Sequence, residues 1–290
     1  MKKKMKFFFF GFGQSAKYFV EELLKSKTKF VFFATNTTRT KNIYFKKKKY
    51  KSFKFRNNIF DKKLVKSLQD SEYILVSIPP QGNNDLVLKS FDKILKKHTF
   101  KKLIYLSATS VYGNHNGRWV NENSKLKGKT KFGKRRIKVE KRWKNFERKT
   151  NKDINILRVS GIYSKENNVI NKIKKNKIYV KDEKFFSRIR IEDLALIIKK
   201  IFISKKKSMV LNASDDKPAT NKEVAFFAAK LLKVKSLNAI SISNFKNKMI
   251  KQFYRDSKKV SNKNMKRKLN LKLRYPTYKK GLTDIFYNLS

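Results

Sequence analysis

The stretch that decides the fold of this chain is Phe7-Phe8-Phe9-Phe10-Gly11-Phe12-Gly13-Gln14-Ser15-Ala16, close to its start. The short apolar run at residues 7–10 predicts a strand that is buried on both faces, as in a parallel sheet. Apolar residues at helical spacing follow the glycines: Tyr18, Phe19, Leu23 and Leu24. The sequence therefore predicts a strand–turn–helix unit.

The glycines of this turn form the pattern G-x-G-x-x-A. Gly11 permits the tight turn, Gly13 lets the backbone approach a phosphate, and Ala16 lets the helix lie close to the strand. The free N–H groups and the dipole at the start of the helix attract an anion. We therefore predict that Gly11, Gly13, Gln14 and Ser15 hold a dinucleotide pyrophosphate. The alternative is a purely structural turn between strand and helix.

The composition excludes several kinds of site. The 290 residues include no cysteine and only two histidines, His98 and His115, so we predict no disulfide, no thiol nucleophile and no metal site. The basic start followed by phenylalanines resembles a secretory signal, but Gly11, Gly13 and Lys17 interrupt the apolar run. No segment has the length of a membrane span. We expect a cytoplasmic protein that does not bind membranes.

The charge is strongly positive, with 75 Lys and Arg against 21 Asp and Glu and a net charge of +54. Such a charge ordinarily suggests a nucleic acid or an anionic surface as partner. However, the lysines are spread along the chain among many Asn, Phe and Ile residues, a combination typical of an AT-rich genome. We therefore expect no specific nucleic-acid partner, only weak and salt-sensitive binding to polyanions. A nucleic-acid-associated protein remains an alternative.

Buried strands and helices alternate along the first half of the chain. Strands are predicted at residues 30–34, 73–78, 103–106 and 154–157, and helices at 61–68, 86–95 and 132–148. The basic stretch at 46–55 is interpreted as a loop followed by an edge strand. This alternation predicts an α/β fold, a Rossmann-type doubly wound parallel sheet with a small C-terminal substrate lobe. We predict that residues 1–164 form the dinucleotide-binding core. Residues 165–290 form the C-terminal part, which adds further core elements at about 187–216 and contains the smaller substrate-binding lobe.

The residues after the second strand indicate which dinucleotide is preferred. An acidic residue there binds the ribose 2′-hydroxyl, whereas an arginine accommodates a 2′-phosphate. Between Glu22 and Asp61 the chain has no acidic residue, and it offers Asn36, Thr38 and Arg39 instead. We therefore predict a preference for NADP, with NAD possible and Arg39 on the 2′-phosphate. The alternative is that Arg39 is an ordinary solvated loop residue.

Several motifs together resemble the extended short-chain dehydrogenase/reductases, and in particular their atypical, NAD-dependent epimerase/dehydratase-like branch. They follow one another along nearly the whole chain. In order, they are the glycine turn, the segment 107–113 ending in Val111-Tyr112-Gly113, Phe132-Gly133 with Glu140, Leu157-Arg158-Val159-Ser160-Gly161, Arg188-Ile189-Arg190-Ile191-Glu192-Asp193, Asn212-Ala213-Ser214 and Tyr275-Pro276.

The resemblance implies a catalytic Ser or Thr, a Tyr, and a Lys four residues after that Tyr. In the family the Tyr exchanges a proton while hydride moves to or from nicotinamide. The corresponding positions in this sequence are Ala108, Phe132 and Arg136. Alanine and phenylalanine have no hydroxyl, so the usual proton relay is lost. Arg136 keeps the positive charge and can still hold the ribose, although arginine does not replace lysine closely.

The loss of the relay leaves the function open between two classes. One is an enzyme acting on a hydroxyl or carbonyl compound such as a sugar derivative, with His115 or Tyr112 as the group that transfers the proton. Tyr163 is a further candidate for this role. The other is a non-catalytic NADP-binding regulator or scaffold. For a small-molecule substrate we predict contacts from Gln81, Ser107, Thr109 and Arg188. The sequence does not determine the oligomeric state.

Overall fold

The structure is a computed structural model that describes residues 4–82, 84–181, 183–244, 251 and 254–288. Its strands, in chain order, are β1 (Met5–Phe10), β2 (Phe30–Asn36), β3 (Lys41–Phe45), β4 (Lys48–Arg56), β5 (Ile59–Phe60), β6 (Tyr73–Val76), β7 (Lys102–Ala108), β8 (Trp119–Val120), β9 (Ile154–Val159), β10 (Gly161–Tyr163), β11 (Ile178–Val180), β12 (Arg188–Arg190), β13 (Val210–Ala213), β14 (Asn238–Ile240) and β15 (Lys259–Val260). Its helices are α1 (Gln14–Lys25), α2 (Lys63–Gln69), α3 (Leu86–Lys97), α4 (Lys131–Thr150), α5 (Val169–Asn176), α6 (Ile191–Ile203), α7 (Asn221–Leu231), α8 (Lys263–Leu269) and α9 (Tyr278–Tyr287).

Most of the strands join one large sheet. Its order is β13-β9-β7-β6-β1-β2-β4-β3, and β5 pairs with β4 outside this path. The strands from β7 across to β4 are parallel, whereas β3 and β5 are antiparallel to β4. The predicted parallel α/β sheet is confirmed. The prediction that the stretch at 46–55 contains an edge strand is wrong, because β4 lies between β2 and β3.

The four phenylalanines of β1 explain why this strand lies in the middle of the sheet. Phe7 to Phe10 have no exposed surface. Phe7 packs on one face against Phe19 of α1 and Phe202 of α6, with ring centroids 5.4 Å apart in both pairs. Phe8 and Phe10 belong to the core on the other face, which α2, α3 and α4 cover. Burial on both faces is what a continuous apolar strand requires.

The chain divides into two compact units. The first comprises residues 1–107, 135–157 and 194–210 and contains most of the large sheet. The second comprises residues 108–134, 158–193 and 211–290. It contains the two-stranded parallel sheets β10–β12, β11–β14 and β8–β15. Its apolar core lies among α5, α7 and α9.

Within the described ranges, no helix is long and apolar enough to cross a membrane. The same ranges contain no group of three or more His, Cys, Asp or Glu residues placed to hold a metal ion.

Candidate functional site

The carboxyl ends of three neighbouring parallel strands meet at one edge of the large sheet. β1 lies between β2 and β6, with Phe9 opposite Ala34 and Phe10 opposite Val76. The Gly11 N–H donates to Thr35 Oγ1 at 2.8 Å, just before β2 ends. The hydroxyl of Ser77, just after β6, lies 3.1 Å from both the Phe10 and Gly11 carbonyl oxygens. The glycine turn is therefore fixed by both neighbouring strands.

Gly11 and Gly13 serve different needs in this turn. Gly11 has φ +88°, and a Cβ there would lie 3.0 Å from Ser77 Oγ and 3.2 Å from Ile78 Cγ1. A side chain at Gly11 would therefore strain the backbone and would require Ser77 and Ile78 to shift by a few tenths of an ångström. Gly13 is the N-cap of α1, and a Cβ there would meet nothing within 4 Å. The space beside Gly13 is open.

The start of α1 is suited to an anion. Gly13 supplies no side-chain cap, and the first turn of α1 contains no acidic residue. Gly13 and Gln14 are exposed and Ser15 is half-buried, whereas Ala16 is fully buried between helix and sheet. The first N–H groups of a helix have no partner within the helix and form an anion site.

Asn36 organises the loop that follows β2. Its Oδ1 accepts hydrogen bonds from the Thr38 N–H at 2.8 Å and the Thr38 hydroxyl at 3.0 Å. Its Nδ2 donates to Ser52 Oγ at 2.7 Å and to the Arg39 carbonyl oxygen at 3.0 Å. Thr38 and Arg39 are exposed. Among the described residues, no carboxylate lies within 4 Å of the Arg39 guanidinium, so its charge is available to a ligand.

Gln81 lies in the loop after β6, beyond Pro79-Pro80. Its backbone exchanges hydrogen bonds with Asn84, at 3.2 and 3.1 Å. Arg142 of α4 donates to Asn84 Oδ1 at 2.7 Å, which holds this loop against the helix. The Gln81 side chain is exposed. The structure thus places Gln81 beyond the carboxyl end of a strand that neighbours β1.

The end of β7 is held by α4. The Ser107 hydroxyl donates to Glu140 Oε1 at 2.5 Å, and both side chains are buried. Arg136 Nη1 donates to the Leu106 carbonyl oxygen at 3.1 Å. The Ser107 hydroxyl therefore already has a carboxylate partner within its own unit. The sequence analysis used Glu140 only as part of a family motif. Ser107 and Glu140 are 33 residues apart, and no local pattern predicts their hydrogen bond.

In the second unit Tyr112 is fully buried, and its hydroxyl has two partners. It donates to Asn212 Oδ1 at 2.7 Å and accepts from Arg158 Nη1 at 3.0 Å. Burial raises the pKa of Tyr112 to about 12. His115 is half-buried, with its Nε2 3.2 Å from the Lys125 carbonyl oxygen. Of these two, His115 is the more accessible to a ligand.

Ala108 and Phe132, at the positions where the family resemblance predicts a Ser or Thr and a Tyr, lie near the turn that follows β7. Ala108 and Thr109 are half-buried, and Phe132 is 40% exposed. A Cβ on Gly133 would lie 2.7 Å from the Ser110 carbonyl oxygen, so the start of α4 packs closely against this turn. No side chain at position 108 or 132 carries a hydroxyl.

The second unit contains a cavity of about 500 Å³. Its lining includes the cations Lys172 and Arg188 and the aromatic side chains of Tyr179 and Tyr254, and no carboxylate is among the described lining residues. Arg188 Nη1 donates to the Phe186 and Ala219 carbonyl oxygens at 3.0 and 2.9 Å, and Nη2 donates to Asn221 Oδ1 at 3.0 Å. A fixed arginine in a cavity without carboxylates favours an anionic ligand. Sequence reasoning named Arg188 but missed Lys172.

No protein-family model matches the chain, and no curated protein matches it. Solved structures do. A functionally unknown conserved protein from Silicibacter pomeroyi has a TM-score of 0.85 and 23% identity, covering 98% of this chain and 99% of that one. The UDP-glucuronic acid 4-epimerase from Bacillus cereus, in complex with UDP-glucuronic acid and NAD, has a TM-score of 0.76 and 15% identity, covering 99% and 100%.

A third similar structure is the dTDP-glucose 4,6-dehydratase from Bacillus anthracis in complex with NAD. Its TM-score is 0.77 at 16% identity, with 98% of this chain and 96% of that chain covered. At these identities the comparisons show the fold. The predicted Rossmann-type fold is therefore confirmed, because the chain has the same fold as this epimerase and this dehydratase.

Proposed function

We propose that this chain binds a nicotinamide dinucleotide at the carboxyl edge of the sheet in its first unit. The observation that carries the proposal is the Gly11–Gly13 turn, where a positive φ at Gly11 and open space at Gly13 precede an uncapped helix start. A pyrophosphate fits such a turn, because the first N–H groups of a helix have no partner within the helix and a Cβ at Gly13 would meet nothing within 4 Å. The NAD named with two of the similar structures gives further support.

We assign NADP as the preferred form. Arg39 is exposed, and Asn36 holds the backbone of its loop. The Thr38 hydroxyl lies in the same loop. A guanidinium and a hydroxyl suit a phosphate better than a neutral ribose hydroxyl. Arg136, anchored by one Nη to the end of β7, would hold the ribose next to the nicotinamide.

We propose that the substrate is a small molecule of the sugar-nucleotide class and that it occupies the cavity of the second unit. Arg188 and Lys172 would meet its phosphates, and Tyr179 and Tyr254 would pack on its rings. Support comes from the lack of carboxylates among the described lining residues and from the UDP-glucuronic acid named with a similar structure. The substrate contacts predicted at Gln81, Thr109 and Ser107 stay proposals. The Ser107 hydroxyl would reach a substrate only by breaking its hydrogen bond to Glu140.

The proposed reaction is redox or redox-assisted change at a hydroxyl or carbonyl carbon. A bound nicotinamide supplies the acceptor or donor of a hydride. The proton must come from a group other than positions 108 and 132. We assign it to His115 rather than to Tyr112, because the Tyr112 proton is held by Asn212 inside the core and the pKa of that tyrosine is raised. The His115 side chain is also only half-buried, and its imidazole can both donate and accept a proton.

A binding titration tests the cofactor assignment. Wild-type protein, Arg39→Ala and Arg148→Ala are titrated with NADPH and NADH by fluorescence. Arg148 is an exposed arginine in α4 and serves as the matched control. We expect Arg39→Ala to weaken NADPH binding by roughly 10- to 100-fold, because that factor corresponds to the free energy of one hydrogen bond to a charged group. NADH binding should stay unchanged. Equal affinity of wild type and Arg39→Ala for NADPH would remove the NADP assignment.

The missing hydroxyls at Ala108 and Phe132 favour a second candidate, a non-catalytic NADP-binding regulator or scaffold. The two candidates differ in turnover. Isotopically labelled NADPH is incubated with a panel of oxidised sugar nucleotides, using wild type and His115→Gln. Label transfer that is lost in His115→Gln supports the enzyme. Saturable NADPH binding with no label transfer to any member of the panel supports the regulator.

A further inference from the structure

The outward surface of α4 carries a row of cations that the proposed function does not use. We call it the α4 ridge, and it consists of the exposed residues Lys138, Lys141, Lys144, Arg148 and Lys149. All five lie in the part of α4 that belongs to the first unit. The opposite face of the helix is apolar and buried through Val139, Trp143 and Phe146. Because that face is fixed in the core, the ridge is held toward solvent.

The ridge cations form no ion pairs with the described residues, although Glu147 lies on the same helix. Among the described residues, no carboxylate lies within 4 Å of any of the five ridge cations. Neighbours on the helix surface repel each other instead, since Lys141 stands three residues from Lys138 and Arg148 stands four residues from Lys144. Like charges at these spacings destabilise a helix. An external polyanion would relieve this repulsion and would release its own counterions.

From this geometry we infer that the α4 ridge binds the phosphate backbone of a nucleic acid without reading its sequence. At 1.5 Å per residue, the ridge extends about 17 Å along the helix axis from Lys138 to Lys149. One strand of B-DNA presents about five phosphates over that length, at 3.4 Å each. Successive phosphates also rotate around the duplex, so a straight ridge reaches only those on the side of the duplex that faces it. Lysine and arginine without interleaved aromatic side chains fit backbone contacts rather than base contacts.

Two other occupants fit the ridge less well. A helix that binds a membrane surface inserts apolar side chains beside its cations. The apolar stripe of α4 is instead buried in the core, and the ridge has no exposed apolar member. A second copy of this chain would place one positive ridge against another, which is repulsive. A nucleic-acid backbone is the polyanion that needs no apolar contact.

The salt dependence of DNA binding tests the inference. Binding of the full chain to a 20-base-pair duplex of arbitrary sequence is measured by fluorescence anisotropy between 50 and 200 mM salt. The slope of log K against log salt is about −0.9 for each phosphate contact. Replacing all five ridge residues by Gln should reduce the size of this slope by about 0.9 for each ridge cation that contacts a phosphate, and by at least about 2 in all. Circular dichroism melting verifies that the variant is folded.

A matched variant separates the ridge from the general charge. Five exposed lysines elsewhere in the first unit, Lys25, Lys29, Lys41, Lys62 and Lys66, are replaced by Gln, which removes the same charge. This variant should change the slope by less than about 1. The inference is overturned if the two variants reduce the slope equally, or if the ridge variant leaves the slope unchanged. Loss of binding to phosphatidylserine vesicles with unchanged DNA binding overturns it as well, in favour of a membrane.

Discussion

At the residue scale, Asp215 is the most unusual titratable group of the second unit. It is buried, and its Oδ1 accepts the Lys217 N–H at 3.2 Å. Its Oδ2 has no hydrogen-bond partner among the described residues. Burial raises the pKa of this carboxyl to about 8, although the nearby Arg188 opposes the increase. The folded protein therefore holds a proton at Asp215 in a range where the unfolded chain has lost it.

This proton makes stability depend on pH in a defined direction. Between pH 4 and pH 8 the folded state binds more protons at Asp215 than the unfolded state, so the free energy of unfolding decreases as pH rises. Asp215→Asn keeps the Oδ1 acceptor and cannot ionise. We expect urea unfolding to show that Asp215→Asn becomes progressively more stable relative to wild type from pH 4 to pH 8.

Asp70→Asn removes one carboxyl from an exposed position and serves as the control for that measurement. A difference between Asp215→Asn and wild type that stays constant across the pH range would contradict the assignment. The same result would mean that the Asp215 carboxyl is already ionised in the folded protein at pH 4.

At the scale of elements, the β3–β4 hairpin was not predicted. Its two-residue turn is Lys46-Lys47, and both residues have positive φ, 47° and 60°. A turn of this kind is ordinarily marked by Asn-Gly, because glycine and asparagine accept positive φ readily. Lysine gives no such signal. The local sequence therefore does not predict β3, the antiparallel strand at the edge of the sheet.

Lysine in this turn carries a cost that can be measured. We expect Lys46→Asn with Lys47→Gly to raise the free energy of unfolding by roughly 1–2 kcal/mol, because the left-handed backbone becomes less strained. The midpoint of urea unfolding should increase while its m value stays the same. Lys46→Gln with Lys47→Gln removes the same charge and keeps the strain. If this control stabilises the protein equally, charge rather than backbone strain explains the gain.

At the scale of the whole molecule, the charge of +54 is the dominant feature. Self-repulsion of like charges destabilises a folded state, and salt screens it. We expect the melting temperature to rise as NaCl increases from 20 to 200 mM, by roughly 2–4 °C for each kcal/mol of repulsion that is screened. Differential scanning calorimetry measures this. An increase that begins only in molar salt would point to a general salt effect on the hydrophobic core instead.

The sequence by itself determined the strand–turn–helix unit at the start of the chain. Four adjacent phenylalanines followed at once by Gly-x-Gly favour a strand covered on both faces, and the positive φ at position 11 is accessible to glycine at little cost. The buried central strand and the glycine turn after it follow from these local requirements. The alternation of apolar runs with helical patterns extended the prediction to most of the first unit.

Only the tertiary structure decided which side chains of the candidate site are free. Ser107 meets Glu140 across 33 residues, and Arg188 meets Asn221 across 33 residues. The Tyr112 hydroxyl donates to Asn212, which is 100 residues away in the sequence. Such partners are selected by how helices and strands pack, and no local pattern records them. That is why the turn at Gly11 was predictable from its own residues, whereas the availability of each predicted hydroxyl was not.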